Sequence, residues 1–321
     1  MGYQYFDVWN RLHSDLDDDH DFPAQRPILA HYSSIATLEK VFISDEVWLS
    51  NPLNMNDVEE LRFGLNEAAH AFYSHDGLLD ALKSSELLAS LQTSFQNSFD
   101  EFDANHAIDT YVLCFSEHSP GDTDGLLSMW RGYGVNGAGA AIVIDTEKLQ
   151  PMADSPIIFS KVEYMSRDDR RKWIKNKIDE FSGMLAQTSW SENELRLAAF
   201  VLLERFKLFA LTTKDKGFRE EREWRFIYFS QRDPGKILSR WFGYQITPKG
   251  VEPKLKLPLR GEIEGVLADN VNLAGLVTTI ILGPSHSSQI ALSSFKRMLQ
   301  CIGKPEFAER VVASTTPYRS T

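Results

Sequence analysis

Six short apolar runs are scattered irregularly among stretches of helical periodicity, and this order constrains the fold more than any other feature of the chain. The runs at 110–115, 138–145, 157–164, 223–229, 277–282 and 311–314 read as strands, the fourth being rich in aromatic and branched residues. Between them, Ile174, Ile178, Phe181 and Leu185 recur at helical spacing. So do Leu195, Ala198, Leu202, Phe206 and Phe209, behind a capping box of Ser191 and Glu194. Strands that neither alternate regularly with helices nor segregate from them exclude a doubly wound sheet and an all-β sandwich. The expected class is α+β, with helical insertions between the strand groups.

Local signals fill in the remainder. Ile35, Leu38 and Phe42 predict a helix, followed by a short strand at Val47-Trp48-Leu49 and a turn at Asn51-Pro52. Asp57 and Glu60 have the spacing of a capping pair before the stripe Leu61, Leu65 and Phe72. Ile290, Phe295, Met298, Leu299 and Ile302 predict a closing helix that stops at Gly303. Asp15, Asp17, Asp18, Asp19 and Asp21 make residues 1–27 an acidic arm, expected to be solvated. Residues 28–321 are then expected to form a single α+β domain, with helical inserts at about 57–105 and 166–212.

Charge and cysteine usage exclude several classes. Lys plus Arg number 34 against 45 Asp plus Glu, giving a net charge of −11, so the chain is not a generally basic nucleic-acid coat. A local basic groove remains compatible with that total. In 161–232 there are 16 Lys or Arg against 12 Asp or Glu, which a solvated helical face explains as well as phosphate binding does. Two cysteines, Cys114 and Cys301, make neither a disulfide framework nor a four-thiolate zinc site and suit a reducing compartment. No basic-then-apolar leader and no apolar run near 20 residues is present. A cytoplasmic protein without a membrane partner is expected.

Several motifs are chemically suggestive. Gly132-Tyr133-Gly134-Val135-Asn136-Gly137 spells a dinucleotide fingerprint, but a helix-like segment precedes it and a strand follows, the reverse of the required context. These glycines are expected to admit a close backbone or ligand. No Walker sequence, zinc helix or metal-ligand cluster occurs, so no metal is expected. His31-Tyr32-Ser33-Ser34 places an imidazole and two hydroxyls at a helix start, suited to phosphate or ribose, or to an N-cap with a packed histidine. Trp130 and Tyr133 flank glycines and have the chemistry to hold a planar ring, or to fill a core. On a strand, Glu221, Glu223 and Arg225 would share one face, with Arg222 and Trp224 on the other.

Taken in order, H-Y-S-S at 31–34, the W-L-S-N-P…E stretch at 48–60, L-C-F-S at 113–116, M-W-x-x-Y-G at 129–134, E-x-E-W-R at 221–225, I-I-L-G-P at 280–284 and S-T-T-P-Y-R at 314–319 resemble the bacterial family catalogued as domain of unknown function 2971. The opening also resembles ADP-ribosyltransferases, where a His or Arg on the first strand precedes a hydroxyl or aromatic residue and a late strand carries a carboxylate. That resemblance implies a mixed or antiparallel ADP-ribosyltransferase-like sheet, with NAD as substrate and a nucleic acid or protein as acceptor. His31, Tyr32, Ser33, Trp130 and Tyr133 would hold NAD, and Glu223, Glu221 and His31 would serve catalysis. NAD glycohydrolysis, or a toxin or phage-defence effector, fits the same implication. A non-catalytic nucleic-acid- or nucleotide-binding effector on this scaffold is the principal alternative. A metal-dependent nuclease would need clustered carboxylates that the sequence does not assemble.

Overall fold

The computed structural model describes residues 2–16, 22–55, 58–150, 155–248, 250–268 and 271–317. Asp17, Asp18, Asp19, Asp21, Asp57, Tyr318 and Arg319 lie outside the described residues. In chain order the elements begin with α1 (Gly2–Leu12), β1 (Ile28–Ser33), α2 (Ile35–Ser44) and β2 (Glu46–Ser50). Next come α3 (Val58–Tyr73), α4 (Gly77–Leu82), α5 (Ser85–Glu101), β3 (Thr110–Glu117), α6 (Leu127–Gly132) and β4 (Ala140–Asp145). The middle holds β5 (Ile157–Lys161), β6 (Glu163–Met165), α7 (Arg167–Leu185), α8 (Glu192–Thr212), β7 (Thr213–Asp215) and β8 (Glu223–Phe229). Last are β9 (Phe242–Thr247), β10 (Gly250–Pro258), α9 (Leu273–Leu276), β11 (Val277–Leu282), α10 (Gln289–Cys301) and β12 (Val311–Ala313).

The chain divides into two compact units. The first gathers Met1–Asp21, Asn51–Thr110 and Val162–Phe218, so it is built from the two helical insertions and the N-terminal segment. Here α8 is buried along most of its length and packs with α1, α3 and α5. Its start is fixed by Ser191 and Glu194, which close the expected capping box. The described part of the acidic arm is not a solvated leader. Val8 and Leu12 of α1 are buried, and Asp15 bonds Arg205 at 2.7 Å and Lys177 at 3.2 Å. Burial alone would raise the Asp15 carboxyl, yet these two cations hold it below the usual carboxylate range.

The second unit, Phe22–Ser50, Tyr111–Lys161 and Arg219–Thr321, carries a mixed, open sheet. Its main path runs β12-β11-β4-β1-β3-β2-β10-β9, with β8 joined to β3 and β5. Among the described strands of this sheet, β11 and β12 pair in parallel, and the other registered pairs are antiparallel. The β9–β10 hairpin has no counterpart in the sequence reading, because its apolar residues alternate with lysine, glycine and proline. No helix among the described residues is long and apolar enough to cross a membrane.

One detail of this sheet positions the site. The His118 amide donates to the Ile28 carbonyl at 2.8 Å, so even-numbered residues of β3 aim their backbone groups at β1. The Leu259 amide donates to the Asp45 carbonyl at 2.7 Å, so odd residues of β2 aim at β10 and even Ser50 aims at its partner Val112. Ser116 and Val112 are therefore both engaged along one edge of β3, by β1 and β2 in succession. Registered β1–β3 pairing ends at Ala30, and Cys114 falls in the gap between the two docked strands.

The glycines after α6 hold the sheet end together. Gly137 has φ 80°, and a Cβ on Gly139 would collide with the Ser33 carbonyl. Backbone thus passes backbone at Gly139, just beyond the glycine run, while a Cβ on Gly132 within it would meet nothing within 4 Å. Gly139→Ala is expected to cost about 1–3 kcal/mol through overpacking, lowering the melting temperature by several degrees. Gly132→Ala, at a helical site with nothing within 4 Å of the added carbon, is expected to be neutral or mildly stabilising. Equal melting curves for the two variants would refute this packing account.

Candidate active site

His31 fills the gap on the β3 edge. Its Nδ1 lies 2.8 Å from the Cys114 carbonyl, which a continued ladder would have given to the Tyr32 amide. A carbonyl only accepts, so Nδ1 carries the proton and Nε2 is the acceptor of the neutral ring. The ring also sits edge-on to Phe115 at 5.8 Å. Burial pushes the imidazole pKa below its usual value; the Cys114 carbonyl opposes this and Lys254 adds to it. Lys254 is itself buried, donating to Ser50 Oγ at 2.7 Å and pairing with Glu252 at 3.1 Å.

This arrangement has a pH signature. Between the ordinary imidazole pKa of about 6.5 and the lower folded value, the unfolded chain holds the proton that the folded chain lacks. Stability contributed by neutral His31 is therefore present above the ordinary value and lost as pH falls towards the folded one. His31→Asn, which cannot titrate, is expected to flatten the wild-type loss of stability between about pH 7 and pH 5. Parallel wild-type and variant urea midpoints across that range would refute the assignment.

Glu221 is anchored two residues further along β3. Its carbonyl accepts from Ser116 Oγ at 2.5 Å, and its Oε1 accepts from the Tyr133 hydroxyl at 3.3 Å. Ser116 alternates with Phe115, against which the His31 ring packs, so Glu221 is fastened to the face of β3 away from that ring. Glu221 ends a 3-10 turn at Lys216–Glu221 and does not belong to β8. Arg222, with φ 42°, breaks the alternation that would have placed Glu221 and Glu223 on a common strand face.

Glu223 and Arg225 do share a face of β8, and they close on each other. Arg225 Nε lies 2.8 Å from Glu223 Oε1 and Nη2 lies 3.0 Å from Oε2, with both residues buried. Trp224 points the opposite way, where its Nε1 donates to Glu117 Oε1 at 3.0 Å.

With the geometry of both tracts in place, the comparison with known families can be stated. Residues 129–226 match DUF2971, a family described as a protein of unknown function. No curated protein and no solved structure matches the chain. The matched segment contains Trp130, Tyr133, Glu221, Glu223 and Arg225, while His31, Tyr32 and Ser33 precede it.

Within the matched segment Trp130 is a core residue. It is fully buried, meets Tyr32 edge-on at 4.7 Å, and donates from Nε1 to the Asp124 carbonyl at 2.8 Å. Tyr32 is buried in the same cluster and accepts from the Leu126 amide; burial pushes its phenol up to about 12. Leu29 and Phe115 belong to a separate core cluster, so Tyr32 and Trp130 pack on the sheet face away from His31. Ser33 ends β1, and Ser34 caps α2 through the Thr37 amide. The structure thus ties His31 to Cys114 and Glu221 to Ser116 on opposite faces of β3, with Tyr133 packed beside Trp130 and Tyr32 rather than beside His31. Sequence reasoning missed Ser116 and Lys254. The L-C-F-S run did signal Ser116, since alternation places it with Cys114 and away from Phe115, whereas nothing marked Lys254 beyond its charge.

Proposed function

We propose that this protein consumes NAD on an ADP-ribosyltransferase-like core, transferring ADP-ribose to a macromolecule or releasing it by hydrolysis. The observation that supports this reading is the Glu221 carboxylate held by the Tyr133 hydroxyl beside Ser116, with a neutral His31 in the gap left by the splaying of β1 from β2 on the other face of β3. A neutral imidazole with Nε2 as acceptor suits a ribose hydroxyl, which must donate.

In the proposed step the bond between nicotinamide and the ribose breaks, and its electron pair leaves with nicotinamide. Positive charge develops on the ribose ring, as in glycoside cleavage. The Glu221 carboxylate, held by Tyr133, is placed to accept from a ribose hydroxyl and to stabilise that charge. A hydroxyl of the acceptor, or water, then bonds to the ribose carbon and passes its proton to the Glu221 carboxylate, which returns it to solvent. Glu223 is assigned the supporting role, since both of its carboxylate oxygens are engaged by Arg225.

NAD at about 100 times its dissociation constant is expected to add roughly 2.7 kcal/mol to stability, read as a higher melting temperature. His31→Ala should remove most of that shift. A wild-type melting curve indifferent to millimolar NAD would overturn the proposal.

A further inference from the structure

We propose that the β9–β10 hairpin, together with Trp48 of β2, is a docking surface for single-stranded nucleic acid. In a chain of net charge −11, residues 236–260 run against the trend. They hold Lys236, Arg240, Lys249, Lys254, Lys256 and Arg260 against one carboxylate, Glu252. Lys249 lies outside the described residues and enters only through its charge. Opposite charge on the partner is the first requirement this sets, and a phosphate backbone meets it.

Aromatic rings are interleaved with these cations. Lys256 pairs directly across the strands with Trp48, its Nζ 4.4 Å from the Trp48 ring and 5.8 Å from the Tyr244 ring. Gly243 leaves room for that side chain, since a Cβ there would touch Lys256 at 3.4 Å. Arg240 lies 4.2 Å from the Trp241 ring, at the start of β9. Tyr244 is 60% exposed, so its ring is presented to solvent rather than spent on the core. Guanidinium or ammonium groups beside exposed rings are what a flexible strand uses: bases stack on the rings while phosphates meet the cations. A duplex keeps its bases stacked on each other and cannot use the rings this way. A folded acidic protein would meet the charge but leave the aromatic stacking unused.

Two carboxylates lie on the same surface and belong in the account. Glu46 accepts from Trp48 Nε1 at 3.2 Å and stands 3.9 Å from Arg260, and Glu252 pairs with Lys254. They offset Arg260 and Lys254, which leaves Lys236, Arg240 and Lys256 among the described cations, and the two beside rings, Arg240 and Lys256, are assigned to phosphates. Among the described strands β9 ends the sheet path, which leaves its outer edge for a chain to lie along.

The test is fluorescence anisotropy with labelled single-stranded DNA and RNA of about 20 nucleotides, long enough to span one site. It uses the full chain and no NAD. Leaving NAD out means that failure of this surface is distinguishable from failure of the His31 and Glu221 site. Wild type is expected to bind the single strands, with affinity that falls steeply as salt rises from about 50 to 200 mM. Tyr244→Ala should weaken binding about tenfold, and Tyr244→Phe should restore it. Arg240→Gln with Lys256→Gln should reduce the salt slope by about 1 for each phosphate contact removed. Melting curves check that each variant folds, which the exposure of Tyr244 and Arg240 favours. Three outcomes would overturn the proposal: no salt-sensitive binding of either strand, full binding by folded Tyr244→Ala, or equal binding of duplex DNA, polyglutamate or phosphatidylserine vesicles.

Discussion

Glu223→Gln is expected to lower the free energy of unfolding by about 3–5 kcal/mol. Both oxygens of Glu223 are engaged by Arg225 in a fork, and both residues are buried. Glutamine keeps the size and one acceptor oxygen but removes the charge that matches the Arg225 guanidinium away from water. Paired ions of this kind add little over apolar residues of similar volume, so the cost arises from breaking the pair rather than from lacking it. Replacing both residues, Glu223→Leu with Arg225→Met, is accordingly expected to recover most of the loss. Urea midpoints of the three proteins decide the matter. A Glu223→Gln midpoint equal to wild type would show that the ion pair is not closed as described.

Glu221→Gln is expected to behave in the opposite way, folding normally while losing about 100- to 1,000-fold in nicotinamide release. The anchoring bond of Glu221 uses its backbone carbonyl, which glutamine retains, so the chain stays fastened to Ser116. What disappears is the negative charge beside Tyr133, and with it the stabilisation of the developing ribose cation. Tyr133→Phe removes one donor and leaves that charge, so its loss should be the smaller. Full turnover by a folded Glu221→Gln protein would remove the carboxylate from the mechanism. Taken together, the two glutamine variants separate a structural carboxylate from a chemical one only two residues away.

Sequence alone makes Glu223 the leading carboxylate, for an intelligible reason. Alternation along a strand is visible in the residues, and it correctly places Glu223 with Arg225 and apart from Trp224. It does not show where the strand starts. The left-handed Arg222 backbone sets Glu221 outside β8, and a positive φ at arginine has no sequence signature. Apolar runs located β3, β4, β8 and β11 because these strands are buried at most positions, and helical spacing located α2, α8 and α10. It failed for β9 and β10, whose partly exposed strands follow no such rule. It failed also for α1, where acidity further along the arm suggested solvation. The His31 environment was legible as residue type only. That its ring replaces a missing rung of the ladder depends on where β1 leaves β3, which is a property of the register.

The same register sets the order in which this sheet can be completed during synthesis. Ser50 has to find Lys254, and Ile28 has to find Asp145, before β2 and β1 acquire their outer neighbours. Most of the chain therefore leaves the ribosome while β2 still offers an unpaired edge, with the branched and aromatic Val47, Trp48 and Leu49 along it. Pairings this remote in sequence form late, because the intervening loop must close before any contact rewards it. The nascent protein is thus expected to be a client of holding chaperones until β10, ending at Pro258, has emerged. Any truncation before β10 should yield aggregate rather than a smaller folded product.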